Sequence, residues 1–273
     1  MKPIPGNHAF RQLYEWSMAR TWPPLSFAVG AMIVVLACFT GPSLAATSSI
    51  EFNGSTSKLE NTAANVLDGS DTMTIVAWIY ATGTGEGSFG RVVQLDHDDT
   101  SGAAISLRHA NVVNQLQFQT RHSSGQGVWS IAATDNQWNA VAVAYDKSST
   151  SNHPTARVNF AAATVTLLAT PAGTKPTPTG YCIGNRNQQD LTWSGRIACV
   201  QVFNTVLTDA QMDQAARIPG SVKSGLRLYL PMQGASDVND RSGNGLNGTA
   251  TSLSTGTDGP PNIWANSHYY FLQ

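Results

Sequence analysis

Hydrophobic and polar residues alternate along most of the chain with the period of two that is typical of β-strands. In residues 115–120, Leu116 and Phe118 lie on one face and glutamines on the other, which predicts a strand with one buried face. Residues 226–230 repeat this alternation with three leucines. Short strands of this kind, bounded by Gly, Ser, Asn and Asp clusters, recur at close spacing and predict a sandwich or a barrel.

Two stretches are apolar on both faces. Residues 74–80 read Thr-Ile-Val-Ala-Trp-Ile-Tyr, which predicts a central strand with Trp78 in the core. Residues 138–145 begin with a tryptophan that we also assign to the core, and then alternate alanines with Val141, Val143 and Tyr145.

One helix is predicted, from Asp209 to Arg217. Thr208 and Gln211 have the spacing of a capping box, in which each side chain accepts a hydrogen bond from the other residue's backbone. Pro219 and Gly220 follow and end the helix.

The first 45 residues read as a leader. Residues 25–44 are mostly apolar, Arg11 and Arg20 precede them, and Ser43-Leu44-Ala45 supplies small residues for cleavage. This pattern predicts a secretory signal peptide, with translation from Met1 or Met18. An uncleaved membrane anchor is one alternative, because the apolar stretch is nearly long enough to span a bilayer. A lipoprotein, with Val35–Cys38 as the lipid-attachment box, is another. We therefore expect a leader at 1–45, one domain at 46–252 and a tail at 253–273.

Several segments, taken in order, resemble the laminin-G-like, concanavalin A-like family. They are Ile50–Gly54, Thr74–Trp78, Asn136–Asp146, Gly195–Ile197 before the helix, and Gly225–Pro231 after it. The resemblance implies an all-β, two-sheet antiparallel jelly-roll sandwich with one short helix. It departs from the family where Ala198 and Cys199 replace acidic residues. It departs again at residues 157–163, which lack the glycine of a tight turn and so predict a longer hairpin loop.

The mature chain carries two cysteines, Cys182 and Cys199. An even number in an exported chain is compatible with a disulfide. If their strands pair as a hairpin around residues 185–194, the two residues lie roughly opposite each other, and we predict a bridge. Two free buried thiols are the alternative.

The sequence argues against catalysis and against nucleic acid. Glycoside hydrolysis needs two carboxylates about 5–10 Å apart, and no strand carries acidic residues at alternate positions. Asp96 and Asp98 are the nearest approach, and a solvated turn is the simpler interpretation; a degenerate glycosidase remains the alternative. The formal net charge of −1 and the absence of a basic stripe after the leader exclude an electrostatic case for nucleic-acid binding.

Calcium is the one cofactor that the sequence suggests. Asp237, Asp240 and Asn244 place hard oxygen donors on one loop, which calcium prefers. The alternative is an Asx turn, in which these side chains bond to their own backbone.

The leading functional hypothesis is a secreted, non-catalytic module that binds a glycan or an extracellular protein surface. It would contact the membrane only if the leader is retained. Loops at one edge of the sandwich would supply the ligand-binding residues: Trp193 for stacking, with Asp96, Asp98 and Asn185 for hydroxyl groups. A structural or adhesive component of a cell surface or virion, with no small ligand, is the alternative.

Overall fold

The computed structural model describes residues 48–96 and 104–261. Sixteen strands and one α-helix lie in these two ranges, with a short 3-10 turn at Glu86–Ser88. The strands are β1 Ile50–Asn53, β2 Lys58–Asn61, β3 Thr72–Ala81, β4 Arg91–Leu95, β5 Ile105–His109, β6 Gln115–His122, β7 Gly125–Ala132, β8 Trp138–Asp146, β9 Thr155–Val158, β10 Ala161–Ala163, β11 Val165–Ala169, β12 Tyr181–Ile183, β13 Ser194–Phe203, β14 Leu226–Leu230, β15 Thr249–Thr251 and β16 Ser254–Thr255; the helix is α1 Asp209–Arg217.

The strands form two eight-stranded antiparallel sheets that pack face to face, as the family resemblance implies. The first sheet has the order β10-β9-β8-β3-β13-β1-β16, and β14 pairs with the second half of β13. The second sheet has the order β11-β7-β6-β5-β4-β12-β2-β15. The last strand, β16, pairs with β1, so the sandwich continues beyond residue 252, where we expected the tail to begin.

The core lies between the sheets and follows the predicted alternation. Val141, Val143 and Tyr145 point into it, together with Leu116 and Phe118. The glutamines on the other face of β6 differ from expectation, because Gln117 and Gln119 are also buried. Arg108 donates two hydrogen bonds to Gln117 Oε1, at 3.1 and 2.8 Å; such pairing offsets the cost of burying the amide.

The outer face of the first sheet is covered in part by α1. The alanines of β8 lie under the helix in a second apolar cluster with Trp78 and Met212. The predicted capping box is present: Thr208 Oγ1 accepts from the Gln211 backbone, and Gln211 Oε1 accepts from the Thr208 backbone. Small residues on the outer face of β8 let the helix pack closely.

The hairpin from β9 to β10 is tight rather than long, so that expectation is wrong. Asn159 and Phe160 form a two-residue turn with φ values of +51° and +68°. Asn159 tolerates this conformation, and its Oδ1 accepts from Ala140 N at 3.0 Å. Phe160 packs against Trp78, with ring centroids 6.0 Å apart, and under the Arg217 guanidinium at 3.6 Å. These contacts offset the strain of a non-glycine residue at positive φ.

The predicted disulfide is a second correction, because both cysteines are free thiols. The hairpin on which it depended does not form: Cys182 lies in β12, which pairs with β2 and β4, and Cys199 lies in the other sheet. Tyr181 and Ile183 point into the core, so Cys182 points to the outer face of the second sheet. Cys199 packs under α1 on the outer face of the first sheet. Sheets pack about 10 Å apart, and a bridge needs Cα atoms within about 7 Å.

The predicted leader lies outside the described residues. Within those residues, no helix has the length and apolar character needed to cross a membrane.

Candidate functional site

The loops of the sandwich gather at two opposite ends. The end with loops 62–71 and 170–180, where Gly180 N donates to Ala64 O at 2.7 Å, is called the Lys147 end. The end with loops 82–90 and 184–193, where Glu86 N donates to Thr192 O at 2.9 Å, is called the Trp193 end. Strand β3 starts at the first end and finishes at the second.

The predicted ligand residues do not come together. Asp96 lies at the Lys147 end, where its N–H donates to Gly180 O at 3.1 Å, and its side chain is buried. Trp193 and Asn185 lie at the other end, and Asp98 falls outside the described residues. A single small-ligand site therefore cannot contain Asp96 and Trp193.

Trp193 belongs to the core. Its side chain is 0% exposed and packs between the sheets beside the His109 ring, with centroids 5.9 Å apart. A sugar needs an exposed ring face for stacking, and Trp193 has none. We predicted sugar stacking by Trp193 because it lies next to a loop, but its side chain points inward.

Asn185 closes its own loop. Its Nδ2 donates to Thr192 Oγ1 at 2.7 Å and to Ser57 O at 3.3 Å. Its Oδ1 accepts from Arg186 N at 2.8 Å and from Leu191 N at 3.2 Å. The side chain is 0% exposed, so its hydrogen-bonding capacity shapes the loop.

The predicted calcium loop is arranged as the Asx-turn alternative. Asp240 Oδ1 accepts from Tyr229 N at 3.0 Å and Ser242 N at 2.8 Å. Its Oδ2 accepts from Ser242 Oγ at 2.8 Å and Leu246 N at 3.0 Å. Asn244 turns its amide nitrogen toward the Arg227 carbonyl, at 3.0 Å.

Asp237, the third residue of the predicted set, is paired with Arg241 at 2.9 Å. Across residues 48–96 and 104–261, no three His, Cys, Asp or Glu side chains are grouped closely enough to hold a metal ion. A calcium ion at this loop would have to displace hydrogen bonds that the chain makes with itself, and its binding there stays a prediction.

A partly exposed aromatic row crosses the outer face of the first sheet near the Trp193 end. Trp138, Tyr80 and Arg196 lie side by side on β8, β3 and β13, because Tyr80 is in register with both of the others. The Tyr80 and Trp138 rings make an edge contact, with centroids 5.8 Å apart and planes at 66°. The Arg196 guanidinium lies over the Tyr80 ring at 4.0 Å. We call these three residues the aromatic row.

The local sequence explains how the row is built. Gly195 precedes Arg196 with φ +126°, and a Cβ there would lie 2.1 Å from the Tyr80 carbonyl oxygen, so only glycine lets β13 approach β3 this closely. Arg196 is then held from the far side by Thr257 Oγ1, at 3.1 Å, and by the Asp258 carboxylate.

The row lies beyond the part of the face that α1 covers. Trp78, two residues before Tyr80, donates its indole N–H to the Ala216 carbonyl of α1 at 2.9 Å. Tyr80 and its cross-strand partner Trp138 lie two residues beyond Trp78 toward the Trp193 end. Both side chains are only partly buried. The Trp138 indole nitrogen itself is buried, and it has no hydrogen-bond partner within the part of the chain that the structure describes.

Trp138, which we assigned to the core, is partly buried and packs against the second apolar cluster rather than between the sheets. Its parity along β8, shared with Ala140, Ala142 and Ala144, indicates this outer face. The valines have the opposite parity and define the core face.

The sequence from residue 53 to residue 213 matches the model of the family described as the concanavalin A-like lectin/glucanases superfamily, over more than half of the chain. A comparison with the curated proteins found no match. Among solved structures, the chain is similar to a native heptameric SAP-like pentraxin from Limulus polyphemus, with 15% identity, 77% of this chain and 94% of that chain covered, and a TM-score of 0.54.

It is also similar to a putative carbohydrate binding protein from Bacteroides ovatus, with 16% identity, 80% of this chain and 61% of that chain covered, and a TM-score of 0.52. The chain therefore spans about three-fifths of that protein. Identities this low show a shared fold and carry no information about ligands.

Proposed function

This chain belongs to the concanavalin A-like lectin/glucanases superfamily, and from that premise we propose that it is a secreted, non-catalytic module that binds glycans through the aromatic row. The observation that carries this proposal is the partly exposed Trp138–Tyr80 pair beside Arg196, on a face that α1 leaves open. Sugar rings present apolar C–H faces that pack on aromatic rings, and their hydroxyl groups need polar partners close by.

The row supplies both kinds of contact. The planes of the Trp138 and Tyr80 rings meet at 66°, so the two rings form an angled apolar surface rather than a flat one. The Arg196 guanidinium beside the two rings is a donor for a sugar hydroxyl. Glu51 is in register with Arg196 on the neighbouring strand β1. It adds a carboxylate acceptor on the side of Arg196 away from the two rings. A shallow surface of this kind favours modest affinity, around millimolar, or about −4 kcal/mol.

Trp138→Ala is expected to weaken glycan binding at least about tenfold, which corresponds to about 1.4 kcal/mol, while the protein stays folded because the side chain is partly exposed. Binding is measured on a glycan array and then by titration of the strongest hit. Phe89→Ala is the matched control, since Phe89 is a partly exposed aromatic that also carries a stacked arginine, Arg108, at 4.6 Å. Equal loss in both variants, or no loss in Trp138→Ala, would place the binding site elsewhere.

A protein-binding or adhesive role is the second candidate. Leu167 and Leu168 are 40% and 53% exposed on β11, an edge strand of the second sheet. An apolar edge strand is a ready surface for another protein. A wild-type protein that binds no glycan on the array would favour this second function.

Export follows from the leader at residues 1–45. We expect the protein recovered from the medium or the extracytoplasmic fraction to begin at Ala46 or Thr47, as measured by intact-mass spectrometry. A mature protein that keeps Met1 or Met18 would contradict cleavage and support the membrane-anchor alternative.

A further inference from the structure

A cleft of about 290 Å³ opens at the Lys147 end, between loops 62–71 and 170–180. It lies away from the aromatic row, which is near the opposite end. Its lining combines polar and apolar groups, among them Asn65, Ser70, Leu67, Lys147 and Thr177. The volume is at the lower limit of ordinary ligand pockets and suits one small ring or acid rather than a chain.

Lys147 is the charged residue of this lining. Its side chain is 3% exposed, and its ammonium nitrogen lies 3.1 Å from Asp71 Oδ1. The backbone holds the pair together, because Lys147 N donates to Asp71 O at 2.9 Å. An ammonium group has three N–H donors, and Asp71 is its one partner within the described residues. The buried cation therefore keeps hydrogen-bonding capacity, and its residue lines the cleft.

Lys147 shares its carboxylate partner with a second lysine. Lys175 pairs with the other oxygen of Asp71, so these three groups together carry a net charge of +1. The two lysines hold the pKa of Asp71 below its usual value, by hydrogen bonds from Lys175 and then Lys147, so the carboxylate stays ionised. The nearby Asp68 does not offset this charge, because its carboxylate pairs with Arg227 at 3.4 Å.

A second polar group, His122, lies close enough to Lys147 to respond to its charge. Its side chain is 6% exposed, and the Gly173 backbone is within its hydrogen-bonding reach. Burial first, and then the charge of Lys147, lowers the pKa of this imidazole. A negative charge in the cleft would compensate the charge of Lys147.

We propose that this cleft binds a single carboxylate group carried on a small sugar ring, an acidic monosaccharide unit, with Lys147 as its principal partner. One carboxylate neutralises the net charge of +1, and the cleft volume accommodates one ring. The carboxylate preference follows from Lys147, Lys175 and Asp71 alone, whereas the sugar rests on the glycan binding proposed above.

The test titrates sodium glucuronate and glucose into the full-length mature protein at low ionic strength, with binding followed by NMR chemical shifts. Glucuronate is expected to bind at least about tenfold more tightly than glucose, the effect of one charge-assisted hydrogen bond. Lys147→Met is expected to remove this difference. Lys223→Met is the matched control, because it removes the same charge from an exposed lysine outside the lining.

Two further variants keep the result interpretable if Lys147→Met does not fold. Lys175→Met, at a half-exposed side chain, lowers the net charge to zero and is expected to weaken glucuronate binding about threefold or more, the effect of an exposed charge. Asp71→Asn raises the net charge to +2 and is expected to strengthen binding. Equal affinity for glucose and glucuronate, or a loss in Lys223→Met as large as in Lys175→Met, would overturn the proposal.

Carboxylate binding in the cleft and glycan binding at the aromatic row can each fail without the other. Trp138→Ala is expected to leave glucuronate binding in the cleft unchanged. If neutral glycans bind the row and glucuronate does not bind the cleft, this inference fails alone. If glucuronate binds the cleft and no glycan depends on Trp138, glycan binding by the row fails alone.

Discussion

Trp193→Ala is expected to lower the free energy of unfolding by about 3–5 kcal/mol, the usual cost of removing a buried large aromatic side chain. The tryptophan is 0% exposed and packs between the sheets, so its loss leaves a cavity that the rigid strands around it cannot fill. Urea denaturation followed by circular dichroism measures the change.

Trp193→Phe is the matched control for this experiment. The Trp193 indole nitrogen is buried and has no hydrogen-bond partner among the described residues, so phenylalanine loses no hydrogen bond and keeps most of the apolar volume. We expect a cost below about 1.5 kcal/mol, as for other substitutions that nearly conserve volume. A stable Trp193→Ala variant that has lost glycan binding would restore the stacking role that the sequence suggested.

Asp240→Ala is expected to destabilise the protein by about 2–4 kcal/mol. The carboxylate accepts four hydrogen bonds, from Tyr229 N, Ser242 N, Ser242 Oγ and Leu246 N. Each is worth about 1 kcal/mol net, and the partial exposure of the loop lets water replace some of them. For a domain of this size, the melting temperature should fall by roughly 4–16 °C.

Excess chelator separates the two interpretations of the same loop. If the loop is closed by its own hydrogen bonds, chelator leaves the wild-type melting temperature unchanged, and Asp240→Ala lowers it equally with and without chelator. Stabilisation by calcium instead predicts that chelator lowers the wild-type melting temperature and has no effect on Asp240→Ala. Asp240→Asn, which keeps one acceptor oxygen, should lose about half as much stability as the alanine variant.

The elements of this fold could be predicted because their signals are local. The strands β6 and β8 and the Thr208–Gln211 capping box depend on neighbouring residues, and the structure confirms them. Family membership, which depends on the order of such segments, is confirmed over residues 53–213.

Strand pairing could not be predicted in the same way. Cys182 and Cys199 are separated by one loop, but their strands belong to different sheets, because hydrogen bonding between strands depends on partners far away in the chain. The tight turn at Asn159–Phe160 was missed for a related reason. Its strain is offset by Trp78 and Arg217, which are distant in sequence.

The candidate site was the least predictable part. Trp193 and Asn185 were predicted to bind a ligand because loops commonly carry function. Both side chains instead turn inward and are buried. The aromatic row lies on strands, and it exists because β3, β8 and β13 are neighbours in one sheet. The parity of Trp138 along β8 was a usable signal, but Tyr80 and Arg196 could be joined to it only by the sheet order.

The most direct test of glycan recognition by the aromatic row is a crystal structure of the protein soaked with an oligosaccharide mixture selected from the array. We expect a sugar ring packed against Trp138 and Tyr80, with a hydroxyl group within hydrogen-bonding distance of the Arg196 guanidinium. A bound sugar that contacts neither ring, with the aromatic row open to solvent, would contradict it.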